Sequence, residues 1–194
     1  MDAITISNLA LVKIGSQVII SFNDGTTPSR LCNLLYPVTV KEVIHLNDWS
    51  WAKGTATLTA TATAPSLDWA YCYALPSDFS RIIEVNDFGG SSPHSPYEIM
   101  GDYLYSDESS VSISYIKTVT DPNLFDDVTV SAITTRLAQQ LARPLGGSDS
   151  LEQRLGMEFK QLLEEAKRID STSCYARRKP QYLDSDLVNA RYAG

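Results

Sequence analysis

Cysteine is scarce and scattered. Cys32, Cys72 and Cys174 are odd in number, far apart and without CxxC spacing, which argues against both a disulfide framework and a zinc site; reduced thiols are expected. Histidine is rarer still, with His45 and His94 alone. His94 lies between Pro93 and Ser95 with no second histidine or cysteine at ligand spacing, so metal binding is not expected there. No apolar run approaches the roughly 20 residues that a membrane-spanning helix requires, so no membrane contact is expected. Met1-Asp2-Ala3-Ile4-Thr5 has neither the basic start nor the apolar stretch of a secretory signal, and synthesis in the cytoplasm is expected. Neither a GxxxxGKS/T nor a GxGxxG pattern occurs; Gly89-Gly90-Ser91-Ser92 reads as a flexible loop, and no cofactor is expected.

What is present has the make-up of an ordinary globular protein: 43% hydrophobic and 20% charged residues in 194. A chain of that length buries roughly 70% of its unfolded surface, enough for a core without metals or disulfides. The net charge of -7 is unevenly spread. Acidic groups dominate 51–125, whereas in 171–194 the basic Arg177, Arg178, Lys179 and Arg191 outnumber Asp184 and Asp186. An acidic body argues against tight non-specific binding to nucleic acid, which relies on phosphate contacts. A small basic end instead suggests docking to an acidic protein surface.

The apolar spacing predicts a helix from Thr5 to Ile14, with Ile6, Leu9, Ala10 and Ile14 on one face and Gly15 at the C′ position. A second helix should start with Thr27 as N-cap and Pro28 at the first helical position, and run towards Leu46 with Pro37 kinking or interrupting it. From Thr55 to Ala62 the period changes to two, until Pro65 ends the strand. Further strands are predicted at Trp69 to Ala74, Arg81 to Val85, Tyr97 to Met100, Tyr103 to Tyr105 and Val111 to Lys117, together an antiparallel sheet. Asp126 or Asp127 then caps a helix carrying Val130, Ile133, Leu137 and Leu141, closed by Arg143-Pro144. Asp149 and Glu152 form a capping-box pattern ahead of a seam of Leu151, Leu155, Phe159, Leu162, Ala166 and Ile169, with Glu164 and Arg168 spaced for a surface ion pair. Beyond Ser171 the periodicity fails, and Tyr175, Tyr182, Leu187, Val188 and Tyr192 stand as isolated anchors in a polar stretch. The expected fold is α+β: an antiparallel helical bundle of 1–51 and 122–170, an inserted antiparallel β domain of 52–121, and an extended C-terminal tail of 171–194.

Candidate chemistry is sparse. His45 sits at a helix end and is read as satisfying the last carbonyls rather than as catalytic. Asp68, Asp78, Glu84, Asp87, Asp102, Asp107 and Glu108 could include an acid–nucleophile pair for glycoside hydrolysis, but solvated loop and edge charges are the simpler reading. Trp49, Trp51, Trp69, Tyr71 and Tyr73 are read as core packing at the helix-to-sheet junction rather than as a ligand platform. No catalytic residue is assigned, and an enzyme is not expected.

The order of landmarks resembles a known family. Asn8-Leu9-Ala10-Leu11 with Ile14-Gly15, then Cys32-Asn33-Leu34-Leu35-Tyr36-Pro37, then Trp49-Ser50-Trp51-Ala52, resemble the amino-terminal half of the head-to-tail adaptors (tail tubular protein A) of short-tailed bacteriophages. Trp69-Ala70-Tyr71 before Leu75-Pro76-Ser77-Asp78, Ile82-Ile83-Glu84-Val85, Tyr97-Glu98-Ile99-Met100-Gly101 and Leu104-Tyr105-Ser106-Asp107 are similar to its central pattern. Pro122-Asn123-Leu124-Phe125 and Leu137-Ala138-Gln139-Gln140-Leu141-Ala142 complete a resemblance over about residues 5 to 170.

The resemblance implies a structural subunit of a virion: a dodecameric ring seated on the portal protein at the head–tail junction, extending the DNA channel and carrying the tail nozzle protein. Genomic DNA would pass without specific binding. It also implies that the carboxy-terminal extension docks on the portal, which makes Tyr175, Arg177, Arg178, Lys179, Tyr182, Leu187 and Tyr192 the partner-binding residues. Two other readings stay open: an adaptor-like protein that cleaves peptidoglycan, and a virion interaction module without portal contact.

Overall fold

The computed structural model describes residues 1–61, 69–87 and 96–174. Its helices are α1 (Ala3–Lys13), α2 (Thr27–His45), α3 (Asp127–Ala142) and α4 (Asp149–Cys174). Between α2 and α3 in the chain come β1 (Lys53–Leu58), β2 (Tyr71–Ala74), β3 (Phe79–Asp87), β4 (Tyr97–Met100), β5 (Tyr103–Ser106) and β6 (Val111–Lys117). The fold is therefore mixed α+β.

The helix ends follow from local chemistry. Asp2 caps α1 by accepting from the Thr5 amide at 2.7 Å, and Gly15, at φ +71°, closes it. The Gly15 and Ser16 amides donate to the carbonyls of Val12 and Leu11, each at 3.0 Å, a Schellman turn that only a residue at ease in left-handed geometry forms cheaply. Thr26, not Thr27, caps α2, accepting from the Ser29 amide at 3.3 Å. The expected interruption at Pro37 does not occur: α2 is continuous from Thr27 to His45. Proline removes the hydrogen bond to the carbonyl four residues back, that of Asn33. Asn33, Leu34 and Pro37 all lie on the exposed face, where water can satisfy that carbonyl.

Asp126 caps α3 through the Thr129 amide at 2.7 Å. At α4 the predicted capping box is displaced by one residue. The Ser148 hydroxyl accepts from the Leu151 amide, while Asp149 and Glu152 turn back to pair with Arg143. Glu164 pairs with Lys167 at 3.0 Å rather than with Arg168. The described buried residues of α4 are Leu155, Phe159, Leu163, Ala166 and Asp170; the predicted Leu151 and Leu162 pack partly buried against the same core, while Ile169 is half-buried and Leu163 and Asp170 are buried outside the predicted seam. The helix also overruns the predicted start of the tail at 171, ending at Cys174.

Helix α3 is the hub, touching α1, α2 and α4. Its buried residues face several ways and are mostly small or β-branched, among them Thr129, Ala132, Ile133, Thr135 and Ala138. Arg136 ties three helices together: it pairs with Glu42 of α2, donates to Gln139 at 2.8 Å and lies 5.3 Å from the ring centroid of Phe159 on α4. Gln140 donates to Glu42 at 3.0 Å and accepts from Thr39 at 2.6 Å. Lys13 of α1 reaches Thr135 of α3 at 2.7 Å and Glu158 of α4 at 2.5 Å.

Among the described residues the single sheet expected from the sequence is two three-stranded antiparallel sheets, ordered β1-β6-β3 and β2-β5-β4. Strand β6 explains the division. Val111, Ile113 and Tyr115 on one face join Tyr73 and Leu104 in a core between the sheets, while Ile116 on the other face enters the helical core. A bulge in β3 serves both sides, since Ile82 pairs opposite Tyr115 and Glu84 opposite Ser114, leaving Ile83 as the extra residue. Ile82 packs in the inter-sheet core and Ile83 against the helices. The layers thus run helices, first sheet, second sheet.

Candidate functional site

The helices and the first sheet meet at a joint built from the chain's two crossings. A 3-10 turn at Ser50–Ala52 leads out of the helical layer, and a second at Pro122–Leu124 leads back. Trp49 is fully buried, and its indole N–H donates to the Val43 carbonyl at 2.9 Å, bending the chain back over the end of α2. Its ring stacks on Trp51 at 5.8 Å, and Trp51 meets Phe125 from the returning crossing at 5.0 Å. Asp170 of α4 accepts from both the amide and the hydroxyl of Ser50, at 2.9 and 2.6 Å. That carboxylate supplies the negative charge that the start of a helical turn favours. An ion pair between Arg81 of β3 and Asp48 adds a further brace.

His45 belongs to the same joint. Its Nδ1 donates to the Lys41 carbonyl at 2.8 Å, and its Nε2 shares a hydrogen bond with the Ser80 hydroxyl at 3.2 Å. Ser80 is a second bulged residue of β3, between Phe79 and Arg81, so the imidazole ties the last turn of α2 to the sheet. Sequence spacing could not reveal this partner, which lies 35 residues away.

The aromatic group predicted at the junction is only partly assembled there. Trp49 and Trp51 are in it, Tyr73 is buried between the sheets, and Tyr71 is exposed on an edge strand. Trp69 lies on the second sheet, with its indole N–H donating to Glu98 at 3.1 Å. Among the carboxylates read as solvated, Asp78 accepts from the Tyr115 hydroxyl at 2.9 Å and Asp107 from the Ala70 amide at 2.9 Å.

The predicted partner-binding residues Tyr175, Arg177, Arg178, Lys179, Tyr182, Leu187 and Tyr192 lie outside the described residues, as do Asp68, His94 and the 89–92 loop. What is described is their attachment point: Asp170 fixes the last buried turn of α4 to Ser50, one turn before the helix ends.

Cys32 and Cys72 are both buried and free. Burial pushes the Cys32 thiol up to about 11, against a small opposing effect of the Ser7 hydrogen bond, so it carries no nucleophilic thiolate at neutral pH. Among the described residues no group of three or more His, Cys, Asp or Glu side chains could hold a metal ion. No described helix is long and apolar enough to cross a membrane. Compared with models of known protein families and with curated proteins, the chain matches none.

Proposed function

We propose that this chain is a structural head-to-tail adaptor, a ring subunit that joins the portal of a short-tailed phage particle to its tail and lines the DNA channel, with no catalytic role. On this reading the helices act as an antiparallel bundle, the strands between α2 and α3 as an inserted β domain, and the chain after α4 as a tail that docks on the portal. The observation that carries it is the braced joint. Trp49-Ser50-Trp51-Ala52 and Pro122-Asn123-Leu124-Phe125, two landmarks of the resemblance, are brought together through Trp51 and Phe125. The end of α4 is bolted to the first of them through Asp170 and Ser50. A channel wall that transmits force between head and tail needs such a joint, stiff where two layers and an attachment point meet.

The test is a truncation. Deleting 175–194 leaves α4 whole, whereas a cut at 171 would remove its last turn. The shortened protein is expected to keep the full-length unfolding midpoint and to lose co-sedimentation with the cognate portal. Undiminished co-sedimentation would reject the docking role of Tyr175, Arg177, Arg178, Lys179, Tyr182, Leu187 and Tyr192.

A further inference from the structure

The outward face of α2 is apolar at its middle and cationic at both ends. Leu34 and Val38 are 66% and 55% exposed and lie one turn apart, in positions where a monomeric helix would carry polar groups. Arg30 and Lys41 flank them, separated by about 16 Å of helix axis. Both are exposed, and neither forms an ion pair among the described residues. The one acid of α2, Glu42, is turned inward onto Arg136. Surface depressions sit at either end of this face, one lined by Arg30, Asn33 and Leu34 and the other by Lys41 and His45.

The second sheet has the opposite character. Its inner face is covered by the first sheet at Tyr73 and Leu104, while Tyr71, Tyr97 and Ile99 at its edges stay exposed. The β4–β5 register puts Glu98 beside Tyr105 and Met100 beside Tyr103 on the other face. Trp69 joins that face through Glu98. Tyr103 is 41% exposed on this side, while Cys72 of β2, opposite Tyr105, is buried. Glu98 and Asp102 are exposed, and no lysine or arginine occurs from 82 to 116. The face is aromatic, and its exposed charges are acidic: Glu98 on β4, and Asp102 at the adjoining turn.

We infer that the outward face of α2 of one copy docks on the outer face of the β4–β5 hairpin of a second copy. Charge complementarity selects this occupant. A like pairing of two α2 faces, or of two hairpins, would set cations against cations or acids against acids, whereas α2 against the hairpin matches Arg30 and Lys41 with Glu98 and Asp102. Aromatic residues, methionine and arginine are also the types that enrich protein interfaces, and guanidinium or ammonium groups gain further over aromatic faces. The two patches belong to different layers of the fold, so the contact is heterologous: each copy leaves one patch of each kind free for the next, as a closed ring requires. This contact rests on the ring reading above and adds to it which surfaces meet.

The test uses four full-length proteins and sedimentation velocity across a concentration series. The natural chain is expected to self-associate. Arg30→Glu with Lys41→Glu, and separately Glu98→Lys with Asp102→Lys, should each weaken association at least tenfold. An equimolar mixture of the two variants should regain it, as should the chain carrying all four changes; this recovery excludes misfolding as the cause of the loss. A natural chain that stays monomeric at every concentration, or double variants that associate as it does, would overturn the inference. The adaptor reading fails separately: if the α2 variant still forms rings on the portal, the contact is wrong and the adaptor stands. A natural chain that self-associates through these faces yet ignores the portal would retain the contact and lose the adaptor.

Discussion

Asp170 and Ser50, 120 positions apart in sequence, share a doubly bonded contact in which one carboxylate oxygen takes both the Ser50 amide and its hydroxyl. Asp170 is 7% exposed, so its charge depends on these donors for solvation. Asp170→Ala should destabilise the protein by about 2–3 kcal/mol, as loss of charge-assisted bonds that leaves a helix-turn amide unpaired does; Ser50→Ala, which removes one bond, should cost about 1 kcal/mol. Urea unfolding midpoints measure both. Equal effects would mean that the amide contact contributes nothing.

Tyr36 presents the converse case. Among the described residues its hydroxyl is buried without a partner, and burial, with a smaller effect from Asp2, pushes its ionisation up to about 12. Tyr36→Phe should therefore be neutral or stabilising by about 1 kcal/mol at pH 7, because it removes a desolvated group that gains nothing. A substantial loss of stability would show that the hydroxyl has a partner.

Alkaline pH should unfold the protein through the same groups. Burial raises Cys32 from 9.0 to about 11 and Tyr36 and Tyr115 from 10.0 to about 12, Tyr115 with help from its hydrogen bond to Asp78. Each group holds its proton more tightly folded than unfolded, so its contribution is complete below the ordinary value and is lost as pH rises through the raised one. Stability should be insensitive to these groups at pH 8 and fall between about pH 9 and 12. Tyr36→Phe should make that decline shallower; an unchanged slope would assign the decline to other groups.

Gly147 faces the tightest backbone approach in the turn between α3 and α4. A Cβ there would lie 2.7 Å from the Ala142 carbonyl oxygen, to which the Gly147 amide also donates at 2.7 Å. Gly147→Ala must shift backbone and should cost about 1–3 kcal/mol, as overpacking does. Gly15→Ala meets open space but keeps φ +71°, and should cost about 1–2 kcal/mol from the left-handed strain alone. Thermal unfolding of the two variants checks these values; a neutral Gly147→Ala would mean that the turn relaxes freely.

Most elements were legible where one local rule governed them. Asp126 as a cap, Gly15 as a terminator and the bounds of β4 and β6 follow from short-range chemistry that the sequence displays openly. The misses share another cause. Pro37 stays helical because its face is wet, Ile83 is set apart by a bulge that turns it to the helical core, and Leu163 and Asp170 are buried on α4 because of what lies opposite them. Each depends on a neighbour far away in the chain. The candidate site divides the same way. The tryptophans of the joint could be read as core, but neither the Ser50–Asp170 bond nor the Ser80–His45 contact has any mark in local spacing.

The adaptor role itself is tested most directly by mixing the full-length protein with the cognate portal and imaging the product by electron microscopy. A second dodecameric ring, stacked coaxially on the portal and continuing its channel, is expected. Portal rings left bare, with the added protein dispersed as free monomers, would contradict it.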